Sequence, residues 1–125
     1  MLSHRNTYKL QVLLDPSAET YQAVTTLLGV EPHKPDPNGP MWEYQVEEGS
    51  EGPYYDFINE FLNLLEGKYQ SLAALGIERN DISIWRYYEY DGQCNMEYDP
   101  ERTKRLGDCG INLCISCWDT SEETE

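Results

Sequence analysis

Cys114 and Cys117 stand in a C-x-x-C arrangement, the spacing used by zinc knuckles and by dithiol redox sites. Both chemistries need the two thiols to converge, in a tight turn for zinc or at a helix start for redox. Here the pair falls in Ile111-Asn112-Leu113-Cys114-Ile115-Ser116-Cys117-Trp118, which alternates as a strand does. Strand side chains change face at every residue, so these two thiols point to opposite sides. With no run of signal-peptide length near the start, a disulfide framework is not expected either. Cys94, Cys109, Cys114 and Cys117 therefore read as structural thiols.

The other candidate groups are sparse. The histidines are His4 and His33. His33 lies between Pro32 and Lys34, in a segment where prolines splay neighbouring side chains outward, so it lacks the fixed partners a base or ligand needs. Glu47, Glu48 and Glu51 offer oxygen ligands of the kind calcium prefers, but their spacing matches no EF-hand loop. They read as a solvated acidic loop. No nucleophile elbow, phosphate-binding glycine loop or Ser/His/Asp arrangement appears. The sequence thus nominates no catalytic residue, no metal site and no cofactor.

Aromatic side chains are the better lead. In Trp85-Arg86-Tyr87-Tyr88-Glu89-Tyr90, alternation puts Trp85 and Tyr87 on one face and Arg86, Tyr88 and Tyr90 on the other. Joined by Trp42 and Trp118, the first set makes an aromatic platform of the kind enriched in protein interfaces. The competing reading is a two-sided core that buries most of these rings. The expected interaction residues are Trp42, Trp85, Tyr87 and Trp118, together with Glu47, Glu48 and Glu51.

The elements that must hold these groups follow from periodicity and punctuation. Residues 8–14 alternate as a half-buried strand, with Tyr8, Leu10, Val12 and Leu14 on one face. Asp15-Pro16 reads as N-cap and first position of a helix that Gly29 ends. Residues 31–40, with four prolines, form a surface loop. Residues 41–46 return as a strand with Trp42, Tyr44 and Val46 on one face. Residues 54–66 carry an apolar stripe of Phe57, Ile58, Phe61, Leu62, Leu64 and Leu65 at helical spacing. A short helix over 69–75 precedes a strand over 82–90. Asp91-Gly92 then reads as a hairpin turn into a strand over 94–98. Asp99-Pro100 starts a basic helix ended by Gly107, and residues 111–118 form the last strand, with Ile111, Leu113, Ile115 and Cys117 toward the core.

The order β-α-β-α-(α)-β-β-α-β gives an α+β domain. It has one mixed or antiparallel sheet of about five strands, with helices mainly on one face. Residues 8–119 form this single domain, between a flexible N-terminus over 1–7 and a disordered polar tail over 120–125. No segment has the roughly 20 apolar residues needed to span a bilayer, and a cytoplasmic location is expected.

The charge narrows the partners. Asp and Glu number 23 against nine Lys and Arg, for a net −14. Between Pro35 and Gly67 there are eight acidic residues and no Lys or Arg. That balance argues against nucleic acid or an anionic membrane and for a basic or neutral protein. A homodimer through the uncovered sheet face is also compatible with it.

The chain also resembles a known family. The residues that carry the likeness are Leu28-Gly29-Val30-Glu31-Pro32, then Gly39 leading to Trp42, the leucine-rich helix, and the closing Asp99-Pro100-Glu101 helix and Leu106-Gly107 turn. They resemble the bacterial family catalogued as domain of unknown function 4279, over nearly the whole of residues 8–118. The resemblance implies a compact bacterial α+β domain and transfers no catalytic residue. The function expected is a non-enzymatic protein-binding module, inhibitor- or immunity-like against a basic partner. The alternative is a small-molecule-binding domain, with a pocket between the aromatic strands and the helix over 54–66.

Overall fold

The computed structural model describes residues 6–48 and 55–119. The elements run β1 (Asn6–Leu13), α1 (Ala18–Leu28), β2 (Met41–Glu47), α2 (Phe57–Leu65), α3 (Tyr69–Ala74), β3 (Ile82–Tyr90), α4 (Pro100–Cys109) and β4 (Asn112–Asp119). A short 3-10 turn over Arg79–Asp81 leads into β3. The four strands form one sheet in the order β2-β1-β3-β4. β1 is antiparallel to both β2 and β3, while β3 and β4 are parallel and joined through α4.

The sheet has one fewer strand than the sequence suggests. Residues 94–98 form no strand. The reason lies outside that segment: β3 already has β1 along one edge and β4 along the other, so a returning hairpin strand has no edge to pair with. Instead the chain turns over the end of β4, where the Gly92 amide donates to Asp119 Oδ1 at 3.2 Å, and continues to α4.

Helix boundaries shift for local reasons. The N-cap of α1 is Ser17, not Asp15, because the Ser17 hydroxyl accepts from the Thr20 amide at 3.2 Å. Asp56 caps α2 in the same way, so this helix starts at Phe57 and not at 54. Asp99 caps α4 with Pro100 in the first turn, as the sequence indicates. That helix passes through Gly107 and stops at Gly110, whose φ of 70° is the left-handed conformation that ends a helix. β1 begins at Asn6, so Asn6 and Thr7, expected to be flexible, pair with Tyr88 and Tyr87. The expected tail over 120–125 lies outside the described residues, as do residues 1–5.

The core sits on one side of the sheet. Tyr8, Leu10 and Val12 of β1, Trp42 of β2, and Ile82 and Ile84 of β3 are buried in one cluster with side chains from all four helices. These strand positions share a face, so every helix packs on that face. Phe57, Ile58, Phe61, Leu62 and Leu65 of α2 are fully or almost fully buried there, as their spacing requires. The helix layer does not reach the far end of β4: Ile115 is 38% exposed and Cys117 is exposed, although both lie on the face expected to be core.

Candidate interaction face

The opposite face of the sheet has no covering layer among the described residues. Across it, β2 presents Met41, Glu43, Gln45 and Glu47, and β1 presents Thr7, Lys9, Gln11 and Leu13. β3 adds Ser83, Trp85, Tyr87 and Glu89, and β4 adds Asn112, Cys114, Ser116 and Trp118. None of these side chains is buried. The alternation that buries Tyr8, Leu10 and Val12 necessarily turns Thr7, Lys9 and Gln11 the other way.

Strand pairing gives this face an ordered centre. Lys9 lies opposite Trp85, and Thr7 opposite Tyr87. The Trp85 and Tyr87 rings stack at 5.6 Å between centroids. The Trp85 indole N–H donates to Ser83 Oγ at 2.8 Å, which anchors the ring to its own strand. The Lys9 ammonium sits 4.7 Å from the Tyr87 ring centre and 3.1 Å from Glu43 Oε2. Trp118, 42% exposed, lies beside Glu89 on the β4 side.

The structure therefore places Trp85, Tyr87 and Trp118 on one face of the sheet, and Trp42 on the other. Trp42 is fully buried on the helix side, where its indole N–H donates to Thr25 Oγ1 at 2.9 Å. Its register explains this: Trp42 pairs with Val12, and Tyr44 with Leu10, on the core face of β1.

The acidic trio divides as well. Glu47 is exposed on the uncovered face. Glu48 is half-buried and structural: its Oε1 accepts from the Tyr8 hydroxyl at 2.6 Å and from the Tyr55 amide at 3.3 Å. Tyr8 in turn stacks on Phe57 at 4.7 Å, so Glu48 serves the core rather than a partner. Glu51 lies outside the described residues.

A cleft of about 630 Å³ opens where this face meets the proline-rich loop. Lys9, His33, Lys34, Asp36, Glu43 and Glu47 line it. The loop is a fixed wall: the His33 amide donates to Glu43 O at 2.7 Å, and the Asp36 amide to the Tyr21 hydroxyl at 3.1 Å. Sequence reasoning missed this cleft, because it depends on the loop folding back along β2. The space between the aromatic strands and α2, where a pocket was expected, is occupied by buried α2 side chains.

Cys114 and Cys117 lie on opposite faces, as strand parity requires. Cys117 instead meets Cys94. Burial pushes the Cys94 thiol pKa up, and its hydrogen bond with Cys117 adds to the rise. Among the described residues no three His, Cys, Asp or Glu side chains form a group that could hold a metal ion. Among them, too, no helix is long and apolar enough to cross a membrane. No family model, no curated protein and no solved structure matches the chain.

Proposed function

We propose that this chain is a protein-binding module that meets a basic partner through the uncovered sheet face, in the manner of an inhibitor or immunity protein. The observation that carries the reading is the one-sided packing. All helices lie on one face, and the other displays stacked Trp85 and Tyr87 with exposed Trp118. Rings of this type supply large contact area at low entropic cost, which is why they anchor interfaces.

The electrostatics of the face fit the same reading. Glu43, Glu47 and Glu89 stand there against Lys9. In a chain of net charge −14, this bias steers a cationic surface toward the aromatic centre. The likeness to the domain of unknown function 4279 family adds a bacterial setting to the proposal and no activity.

Affinity capture from the native host tests it, comparing wild type with the Trp85→Ala/Tyr87→Ala double variant at low and high salt. The expected result is a stoichiometric basic protein that the variant fails to retain and that salt weakens. Capture of the same proteins by the variant, at the same yield, would refute the use of this face.

A further inference from the structure

We propose that β4 is a self-pairing edge through which two copies of this chain join into one continuous sheet, twice as wide. β4 is an outer strand, bonded to β3 on one side. Among the described residues, no backbone-to-backbone hydrogen bond outside the β3 ladder reaches residues 112–118. A free edge of this kind is a template for another strand unless charge, proline, a bulge or a covering segment blunts it.

The two edges of the sheet differ in that respect. β2 carries Glu43 and Glu47, and the proline-rich loop bonds along it through the His33 amide. β4 has neither protection before its last residue, Asp119, whose carboxylate accepts from the Gly92 amide. From Asn112 to Trp118 it contains no charged residue and no proline. Of the four exposed large apolar side chains among the described residues it holds two, Ile115 at 38% and Trp118 at 42%, one on each face.

The uncharged run along β4 is what admits a second copy as the occupant. At net −14, two copies repel each other over most of their surfaces. The uncharged run along β4 is where they approach at least cost. That run is centred on Ile115. A two-fold axis normal to the sheet through Ile115 sets Ile115 against its own copy, Cys114 against Ser116, Leu113 against Cys117 and Asn112 against Trp118. Directly paired residues of antiparallel strands share a face, so both helix layers fall on one side of the joined sheet. The nearest charges on β4 itself, the two Asp119 carboxylates, lie at the far ends of the seam, about 27 Å apart at strand rise. That is well beyond the screening length of about 8 Å at physiological salt. The uncovered faces of the two copies become one surface, so dimerisation doubles the face assigned above to a partner.

Sedimentation velocity of the full chain, from low-micromolar to near-millimolar concentration, tests the seam. Wild type is expected to pass from monomer to dimer, with Trp118 emission shifting to the blue as its ring is covered. Ile115→Lys sets two ammonium groups on the axis and should raise the dimer dissociation constant at least about tenfold. Met41→Lys alters an equally exposed residue, 37%, on the opposite edge and should dimerise as wild type does. Circular dichroism checks the fold of each variant, and Trp118→Glu carries the same test if Ile115→Lys does not fold. A wild type that stays monomeric throughout, or a dimer that the β4 variants leave intact, overturns the proposal. So does a dimer that Met41→Lys breaks. The Trp85→Ala/Tyr87→Ala variant should still dimerise, so failure of the seam and failure of the partner-binding face are separable.

Discussion

Asp56 joins the two helices that close the core, and neutralising it gives a measurable, pH-dependent loss. Its carboxylate accepts from the Arg102 guanidinium of α4 twice, Nε to Oδ1 at 2.9 Å and Nη2 to Oδ2 at 2.8 Å. It also caps α2 through the Asn59 amide. The Arg102 hydrogen bonds, opposed by partial burial and aided by Asn59, lower its pKa from 3.8 to about 2. Fully realised, that difference would be about 2.4 kcal/mol at neutral pH. The Arg102 and Asp56 side chains are 32% and 31% exposed, and solvent screening brings the expected figure to about 1 kcal/mol.

Asp56→Asn keeps the shape and removes the charge, so it should lose that amount at neutral pH. A carboxyl whose folded pKa is lowered contributes fully above its unfolded value and loses the contribution as pH falls through the folded one. The gap between wild type and variant should therefore be constant down to about pH 5, fall to about half near pH 3, and approach zero near pH 2. Urea unfolding of both proteins at each pH, followed by circular dichroism, measures it. Carboxylates that do not touch Arg102 titrate equally in both and cancel; Asp99, which shares the guanidinium, is replaced by Asn in both proteins. A gap that is absent at neutral pH, or one that stays constant into acid, would refute the assignment of this energy to the Arg102 pair.

Two further substitutions test the placement of buried polar and aromatic groups. Trp42→Ala should cost about 3 to 5 kcal/mol by urea titration, because it empties a fully buried site and removes the hydrogen bond that the Thr25 hydroxyl accepts, whereas Trp118→Ala should stay within about 0.5 kcal/mol. Equal losses would overturn the assignment of one ring to the core and the other to the surface. The Tyr69 hydroxyl is buried with no nitrogen or oxygen partner among the described residues, and burial, with the Cys109 thiol beside it, pushes its pKa up to about 12. Tyr69→Phe should be neutral or raise stability by up to about 1 kcal/mol, and a clear loss in thermal unfolding would mean that the hydroxyl is better satisfied than this geometry allows.

Much of the fold was legible because it is local. Alternation in β1 and β3, the apolar stripe of α2 and the Asp99-Pro100 start of α4 each depend on residues within a few positions of one another. The failures are non-local. The Asp91-Gly92 signal is a sound hairpin cue, yet no hairpin forms, because a strand later in the chain takes the edge that the hairpin needs. Trp42 was grouped correctly with Tyr44 and Val46, but its own strand does not say which face the helices will cover. That is decided by register: Val12 pairs with Trp42 on the inside, while Lys9 pairs with Trp85 on the outside. The exposed end of β4 has the same origin, since strand parity assigns a face but not the reach of the helices over it.

The charge shows how sequence clustering and surface clustering part company. The acidic run from 35 to 67 looks like one negative surface, yet much of it is committed inside the fold. Glu43 pairs with Lys9 at 3.1 Å, Glu48 holds the Tyr8 hydroxyl, Asp56 binds Arg102 and Glu66 lies 3.4 Å from Arg105. The arginines of α4, distant in sequence, reach back across α2 to meet it. What remains for a partner is therefore a modest bias on the aromatic face. Exposed charges at that density act mainly through the long-range field, which speeds encounter and is screened by salt, while desolvated rings at the centre govern how long a complex lasts. On this division, salt should slow the arrival of a basic partner far more than it hastens its departure, and the loss of Trp85 and Tyr87 should do the reverse.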